Sequence, residues 1–231
     1  MDSSRTDLII GKNNTEKLKK SNILIVGLGG VGGSAFEMLI RSGVQNFTIV
    51  DGDVVEPSNL NRQTLFTSND VGKPKVEVAQ ELALAINPGI RINAMHERID
   101  MNSIPELTEF DYVVDAIDDT LAKAHLVINA FSVKTPIISC LSMGNRMDQT
   151  LIRSTKLNKT CNDPMARIFR HDLRRAGIPL KDVNVVFSEE EPVISGKIIG
   201  STYLCPNYAG MLMAKHVVQY ILEEKQNGKN N

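Results

Sequence analysis

Short apolar runs that end in a glycine or an acid mark the first half of the chain. Ile23–Val26 leads into a glycine-rich turn, and Ser34–Arg41 after the turn has the character of a helix. Phe47–Val50 is a second aliphatic run, and it ends at Asp51. This order of strand, glycine turn, helix, strand and acid is typical of a doubly wound α/β fold. The sequence therefore predicts a Rossmann-like, mostly parallel sheet.

The same pattern continues through the middle of the chain. Apolar positions at helical spacing predict a helix over Lys73–Ile86, which Asn87-Pro88-Gly89 ends. Three further strands are predicted at Arg91–Met95, Tyr112–Val114 and Ile137–Leu141.

The regular alternation of strands and helices is lost beyond residue 145. Asp163-Pro164 is a helix N-cap followed by a first-turn proline, so it predicts that a helix begins there. The final helix is predicted over Ala209–Glu224. The remaining strands are predicted at Thr150–Ser154, Val183–Phe187 and Ser201–Cys205, and we expect the C-terminal strands to be antiparallel.

Length and composition place the chain among ordinary globular proteins. A chain of 231 residues with 42% hydrophobic and 23% charged residues can bury one full core. We expect one domain over residues 1–231, with an N-terminal helical segment at 1–20 and a frayed tail at 226–231. No apolar stretch has the length of a signal peptide or a membrane span, so we expect a cytoplasmic setting.

Charge and cysteine usage exclude some classes of site. The formal net charge of −1 gives no general sign of a nucleic-acid partner, although a local basic patch is compatible with it. The three cysteines, Cys140, Cys161 and Cys205, form no Cys-x-x-Cys pair. A disulfide framework and a structural zinc site are therefore not expected. Cys161 and Cys205 are weak candidates for a thiol nucleophile: nothing near Cys205 favours a thiolate and we expect it in the core, whereas we expect Cys161 to be exposed.

Glycines in the first turn predict a phosphate site. They let the backbone approach phosphate closely, and the helix that follows offers free N–H groups. Asp51 lies nineteen residues after Gly32 at a strand end, where a carboxylate can accept ribose hydroxyl groups. This pair of features is equally compatible with NAD and with ATP. The glycines are Gly27, Gly29, Gly30 and Gly32.

Residues that follow the acid favour ATP over NAD. Asn59 comes eight residues after Asp51, with Arg62 three residues later and Lys75 on the next helix. Cleavage of ATP between its α- and β-phosphates builds negative charge on pyrophosphate, which an arginine fork and a lysine can stabilise. Asp118, after the fourth strand, is predicted to hold Mg²⁺ at the same edge of the sheet. The alternative is a surface ion pair between Arg62 and Asp118 with Lys75 in solvent.

These motifs resemble the adenylating superfamily that includes the ubiquitin-activating enzymes and the bacterial ThiF and MoeB proteins. The motifs are GLGGVG at 27–32, DGD at 51–53, SNLNRQ at 58–63, GKPKV at 72–76 and DAIDD at 115–119. The resemblance implies a homodimer in which Arg5 enters the site of the partner. The predicted nucleotide-binding residues are Gly27, Gly29, Gly30, Gly32, Asp51, Asp53, Asn59, Arg62, Lys75 and Asp118.

The second half of the chain is similar to one branch of this superfamily, the tRNA threonylcarbamoyladenosine dehydratases. The similarity rests on KTCNDPMA at 159–166, RRAGI at 174–178 and VVFSEE at 185–190. It implies ATP-dependent adenylation of the threonine carboxylate, ring closure, and release of AMP and pyrophosphate. The chain departs from the branch in two places: Asp148-Gln149-Thr150 replaces Asp-Pro-Thr, and Ser142-Met143-Gly144 replaces Gly-Ala-Gly.

The helix after Asp163-Pro164 independently favours tRNA. Its basic residues recur at a spacing that places them on one helical face, where they can contact phosphates. The alternative is a solvated face with carboxylate partners elsewhere. The basic residues are Arg167, Arg170, His171, Arg174 and Arg175. The predicted buried side consists of Ile168, Phe169 and Leu173.

Three other functions remain open at this stage. One is adenylation of the C-terminal carboxylate of a ubiquitin-like or sulfur-carrier protein, which would need a groove for a Gly-Gly tail. Another is a dinucleotide-binding module without catalysis. The third, a scaffold with a degenerate site, is disfavoured because every nucleotide-contacting motif position is intact. A sulfur-relay partner and the base for ring closure are not identified by the sequence.

Overall fold

The computed structural model describes residues 1–100, 103–194 and 199–227, with side-chain surroundings as far as residue 223. The strands are β1 (Asn22–Val26), β2 (Asn46–Val50), β3 (Arg91–Met95), β4 (Tyr112–Asp115), β5 (Ile137–Cys140), β6 (Ile152–Lys156) and β7 (Asn184–Ser188). The helices are α1 (Ser4–Ile10), α2 (Lys12–Lys20), α3 (Gly30–Ser42), α4 (Lys75–Ile86), α5 (Thr120–Ser132), α6 (Pro164–Arg175) and α7 (Leu204–Asn227).

One seven-stranded sheet organises the described residues, in the order β3-β2-β1-β4-β5-β7-β6. All neighbouring strands are parallel except β6 and β7, which are antiparallel. The predicted fold class is confirmed. Val26 is in register with both Val50 and Asp115, so β1, β2 and β4 end together at one edge of the sheet. Loops that follow these strands therefore meet at that edge.

Helices cover both faces of the sheet, which explains why its inner strands are mostly apolar and almost entirely buried. Alternate residues of β1 enter two different cores: Ile23 and Ile25 face one, and Leu24 and Val26 face the other. The first core includes residues of α3, α4 and α7, and the second includes residues of α5 and α6. Strand β1 is therefore packed on both faces, and this packing holds the glycine turn at its end in place.

The predicted strand at Ser201–Cys205 is wrong. Residues 199–203 contain no strand, and α7 begins at Leu204 and includes Cys205. Pro206 lies in the first helical turn, where its missing N–H costs nothing. Long-range packing adds a second reason, since α7 lies so close to α3 that a Cβ on Gly210 would be 2.3 Å from the Val31 carbonyl oxygen. Packing of α7 on α3 therefore outweighs the local preference for a strand.

Other boundaries differ in smaller ways. Helix α5 is not among the predicted elements, although Asp119 caps it through the N–H groups of Leu121 and Ala122. Residues 149–151 form a short 3₁₀ turn, so β6 begins later than predicted. The N-terminal segment consists of the two helices α1 and α2. Of the predicted frayed tail, residues 226 and 227 belong to α7, and residues 228–231 lie outside the described residues.

Candidate active site

The glycine turn between β1 and α3 contains glycines required by two different constraints. Gly27 has φ +88°, and a Cβ on Gly32 would lie 1.8 Å from the Gly27 carbonyl oxygen. These two positions need glycine for the backbone to fold. A Cβ on Gly29 would meet no neighbour closer than 3.8 Å. The surroundings within the chain therefore leave Gly29 room for a side chain, and its φ of −68° does not require a glycine.

Asp51, at the end of β2, ties this turn to the loop that follows. Its Oδ2 accepts the Leu28 N–H at 2.6 Å, and its Oδ1 accepts the Asp53 N–H at 2.8 Å. The carboxylate is only partly covered by the protein. It stands where the β1 and β2 loops meet, and it can accept the hydroxyl groups of a ribose.

Asp53 forms ion pairs with two cations near the glycine turn. The Lys75 ammonium lies 3.0 Å from its Oδ2, and the Arg98 guanidinium lies 2.8 Å from its Oδ1. Burial raises the pKa of Asp53, but hydrogen bonding and charge from Lys75 and Arg98 outweigh burial, so the pKa is lowered. Lys75 is 5% exposed, which excludes the alternative of a lysine in solvent. Arg98 was not predicted from the sequence, and its position just after β3 at the same sheet edge is the signal that could have identified it.

Arg62 is held by its own loop and not by an acid. Its Nη1 donates to the Ser58 carbonyl oxygen and to Asn61 Oδ1, both at 2.9 Å. Asn59 is 7% exposed, and its Oδ1 accepts the Glu56 N–H at 3.1 Å, which fixes the short turn before Arg62. Among the described residues no carboxylate forms an ion pair with Arg62, so the predicted alternative of a pair with Asp118 is absent.

The acids after β4 have three separate roles. Asp115 pairs with Lys123 at 2.8 Å, and both side chains are fully buried. Asp119 caps α5. Asp118 is exposed, and no hydrogen bond or ion pair is recorded for it within the described part of the chain. Asp118 and Asp119 are both exposed, and Asp118 is the one whose carboxylate has no partner among the described residues. The buried pair of Asp115 and Lys123 was not predicted from the sequence, because its members are eight residues apart with no motif between them.

One predicted site residue, Arg5, has no contact with this cluster among the described residues. Arg5 is exposed on α1, and no recorded hydrogen bond or ion pair joins it to the glycine turn or to the loops after β2 and β4. Leu8 and Ile9 on the same helix are each 86% exposed. This short helix therefore presents a cation and two large apolar side chains to the outside.

Helix α6 is amphipathic as predicted, with one correction. Phe169 and Leu173 are fully buried, whereas Ile168 is 53% exposed and does not belong to the buried side. Each helical residue is rotated by about 100° from the one before it, so Ile168 lies to one side of the stripe that Phe169 and Leu173 form. The N-cap is as predicted, since Asp163 Oδ1 accepts the Ala166 N–H at 3.0 Å. Arg167, Arg174 and Arg175 are exposed, and the half-buried Arg170 donates to Thr160.

The cysteines divide into one exposed and two buried thiols. Burial raises the pKa of Cys140 to about 12 and that of Cys205 to about 11. Cys161 is exposed. A thiolate at Cys205 is therefore strongly disfavoured, which argues against its use as a nucleophile. In the described part of the chain, no three His, Cys, Asp or Glu side chains cluster as a metal site would require.

None of the helices in the described ranges combines the length and the apolar character that are needed to cross a membrane.

Comparison with known proteins gives one family. Residues 3–231 match the ThiF family. A tRNA threonylcarbamoyladenosine dehydratase of Bacillus subtilis is 33% identical over 241 residues, covering 96% of this chain and 94% of that protein. A molybdopterin-synthase adenylyltransferase of Escherichia coli is 37% identical, but covers 67% of this chain and 62% of that protein.

Solved structures agree with the sequence relatives. The Escherichia coli tRNA N6-threonylcarbamoyladenosine dehydratase, TcdA, in complex with AMP has a TM-score of 0.91 at 28% identity, covering 97% of this chain and 95% of that chain. The same protein in complex with ATP matches with the same score and identity, covering 99% and 96% of the two chains. The architecture is therefore shared from the first helix to the last.

Proposed function

The chain belongs to the ThiF family, and we propose that it is an ATP-dependent tRNA threonylcarbamoyladenosine dehydratase. The observation that carries the proposal is the cluster at the carboxyl edge of the sheet. There the glycine turn and Asp51 lie beside Arg62, Lys75 and Asp118, on a chain whose similarity to such dehydratases runs through nearly its full length.

The first chemical step is adenylation. An oxygen of the threonine carboxylate attacks the α-phosphorus of ATP, a P–O bond forms, and the bond to pyrophosphate breaks. Negative charge then grows on the leaving group. Arg62 and Lys75 stabilise it, and the N–H groups at the start of α3 add partial positive charge. Asp51 and Asn59 hold the nucleoside, while Asp53 orients Lys75 across their 3.0 Å ion pair.

The second step closes a ring. A carbamoyl oxygen or nitrogen of the same modification attacks the activated carbonyl carbon, and AMP departs with one of the original carboxylate oxygens. The substrate loses the elements of water, and ATP becomes AMP and pyrophosphate. Because both reacting groups belong to one modification, proximity supplies much of the rate.

Asp118 is the residue that we propose for Mg²⁺. Mg²⁺ in nucleotide sites is commonly held by one or two carboxylates together with phosphate oxygens and water. Asp118 fits this requirement, because it is exposed at the edge where the phosphates would lie and has no recorded partner among the described residues. When bound, the ion would neutralise charge on the phosphates.

The assembly and setting are also part of the proposal. We propose a single domain over residues 1–231, in a cytoplasmic setting, that forms a homodimer through α1 and supplies Arg5 to the partner's site. The exposed Leu8 and Ile9 beside Arg5 support this role for α1. The tRNA would lie along α6, where its phosphates contact basic side chains; these are Arg167, Arg170, Arg174 and Arg175.

A direct test is pyrophosphate release from ATP with tRNA that carries threonylcarbamoyladenosine and with the same tRNA lacking it. We expect release only with the modified tRNA, together with AMP and a product lighter by one water. If neither tRNA supports release while ATP still binds, the dehydratase assignment is wrong.

Adenylation of a carrier protein is the second candidate, and the 37% identity to a molybdopterin-synthase adenylyltransferase favours it. It predicts that a small protein ending in Gly-Gly, and not tRNA, stimulates pyrophosphate release. Tight NAD binding without pyrophosphate release would instead support a non-catalytic module. A sulfur-relay protein as a further partner would be detected by the same stimulation assay.

A further inference from the structure

A cleft of about 900 Å³ opens beside the first two turns of α6, away from the nucleotide loops. One wall is the exposed face of α6, and the other is the segment that follows β7. Its main lining residues are Arg167, Ile168, Arg170, His171, Glu191 and Pro192. No step of the proposed chemistry uses this cleft.

The position of the cleft relates it to the active site. Strands β5 and β7 are parallel to β4, so the segments after them reach the same edge of the sheet as Asp118. The Ser142 N–H, after β5, donates to Asp163 Oδ2 at 3.2 Å and ties the start of α6 to this edge. Two strand spacings separate β4 from β7, which is roughly 10 Å. The strand that leads to the cleft therefore ends at the same edge of the sheet as the strand that leads to Asp118.

The lining combines apolar surface with cations. Ile168 is 53% exposed within the cleft, between Arg167 and the half-buried Arg170. Arg170 is held in place, because its Nη1 donates to the Thr160 carbonyl oxygen at 3.2 Å and to the Thr160 hydroxyl. Glu191 is the acid opposite this face. Unpaired nucleotides are recognised in this way, with the base against apolar and guanidinium surface and the phosphate on a cation.

A buried cation lies directly behind the cleft. Arg146 is 2% exposed, and its Nη2 donates at 2.8 Å to the carbonyl oxygen of Asn162, a lining residue. Its Nε and Nη1 have no hydrogen-bond partner among the described residues. Asp163, also on the lining, offsets part of this charge, and its own pKa is raised by burial. The three arginines at the cleft, Arg146, Arg167 and Arg170, outnumber its two lining acids, Asp163 and Glu191, which suits an anionic ligand.

We propose that this cleft binds an unpaired RNA nucleotide that flanks the modified adenosine, with its base against Ile168 and Pro192 and its phosphate on Arg167. The proposal rests on the proposed function, because it assumes that the modified adenosine projects its threonine carboxylate towards Arg62 and Asp118. Glu191 would accept a hydrogen bond from an amino group of the base.

The test is equilibrium binding of fluorescein-labelled, threonylcarbamoyl-modified tRNA, followed by anisotropy without ATP at several salt concentrations. Arg167→Gln should weaken binding about tenfold and reduce the slope of log K against log salt by about 0.7, the value for one single-strand phosphate. Ile168→Ala should also weaken binding about tenfold, but leave the salt slope unchanged because stacking is not ionic. ATP affinity should be unchanged in both.

Two surface variants serve as matched controls. Arg41→Gln removes an exposed helical arginine from α3, and Leu84→Ala truncates an exposed apolar residue of α4. Both should bind the tRNA as the wild type does. Wild-type affinity and slope in both cleft variants would overturn the cleft proposal, even if modified tRNA drives pyrophosphate release. An Arg167→Gln effect without an Ile168→Ala effect would overturn the placement of the base. If the proposed function is wrong, this would be seen separately, because the wild-type protein would not release pyrophosphate with the modified tRNA.

Discussion

Gly29 and Gly32 allow a test that separates a glycine needed by the fold from one needed by the ligand. An alanine at Gly32 would place Cβ 1.8 Å from the Gly27 carbonyl oxygen, more than an ångström closer than real Cβ contacts allow. The same change at Gly29 leaves the nearest atom, Gln63 Nε2, 3.8 Å away. Gly29 is the N-cap of α3 and Gly32 lies in its first turn, and only Gly32 is sterically required by the chain.

The two substitutions should therefore have opposite effects on stability. Gly32→Ala forces the turn apart, and we expect a loss of about 1–3 kcal/mol or more in the free energy of unfolding. Gly29 has φ −68°, which an L-residue adopts without strain. Gly29→Ala should leave stability unchanged or raise it by about 0.4–1 kcal/mol, because alanine restricts the unfolded chain. Urea denaturation followed by circular dichroism measures both quantities.

Gly29→Ala should also change the affinity for ATP. A phosphate oxygen that accepts a hydrogen bond from the turn lies about 2.9 Å from the donor nitrogen, so a methyl group on Gly29 competes for its space. We expect Gly29→Ala to weaken ATP binding at least tenfold, or about 1.4 kcal/mol, as measured by isothermal titration calorimetry. A stable Gly29→Ala protein with wild-type ATP affinity would refute the placement of the phosphates on this turn.

Three further predictions concern the active site and the core. Arg62→Ala should keep the fold and lose pyrophosphate release. Mixing this variant with Arg5→Ala should restore part of the activity if the partner supplies Arg5. Verified heterodimers that show no recovery would argue against a shared site. Lys123→Met should lower the free energy of unfolding by about 3–5 kcal/mol, because it leaves the fully buried Asp115 carboxylate unpaired. Adding Asp115→Asn should recover most of that loss in urea denaturation, and no recovery would contradict the role of the pair. A thiol reagent at pH 8 should modify Cys161 alone in the native protein. Burial raises the pKa of Cys140 to about 12 and that of Cys205 to about 11, so neither forms a reactive thiolate at this pH. Rapid labelling of a second thiol would contradict this prediction.

The sheet and the edge that carries the nucleotide loops were largely predictable from the sequence, although one predicted strand overlaps the start of α7. Apolar runs that end in glycine or acid are short-range patterns, and backbone stereochemistry with burial on two faces converts them into parallel strands. The glycine turn and Asp51 could therefore be placed from sequence. The start of α6 could also be placed, because an N-cap and a first-turn proline act within one helical turn.

Which side chains around that edge are exposed and which are paired depends on the three-dimensional fold. Asp115, Asp118 and Asp119 are equivalent acids in the sequence, but Asp115 is buried with Lys123, whereas the other two are exposed and only Asp119 caps α5. Arg98 reaches Asp53 across 45 residues of chain, and no local pattern encodes such a contact.

The tertiary structure also overrode local preference at two helices. Helix α7 extends back through the predicted last strand because it packs on α3, and Ile168 is exposed because only one side of α6 is buried. Local propensities amount to a few tenths of a kcal/mol per residue, whereas burying a large apolar side chain contributes about 1.5–3 kcal/mol. Long-range packing therefore decides wherever the two conflict, and it also forms the cleft between α6 and the segment after β7.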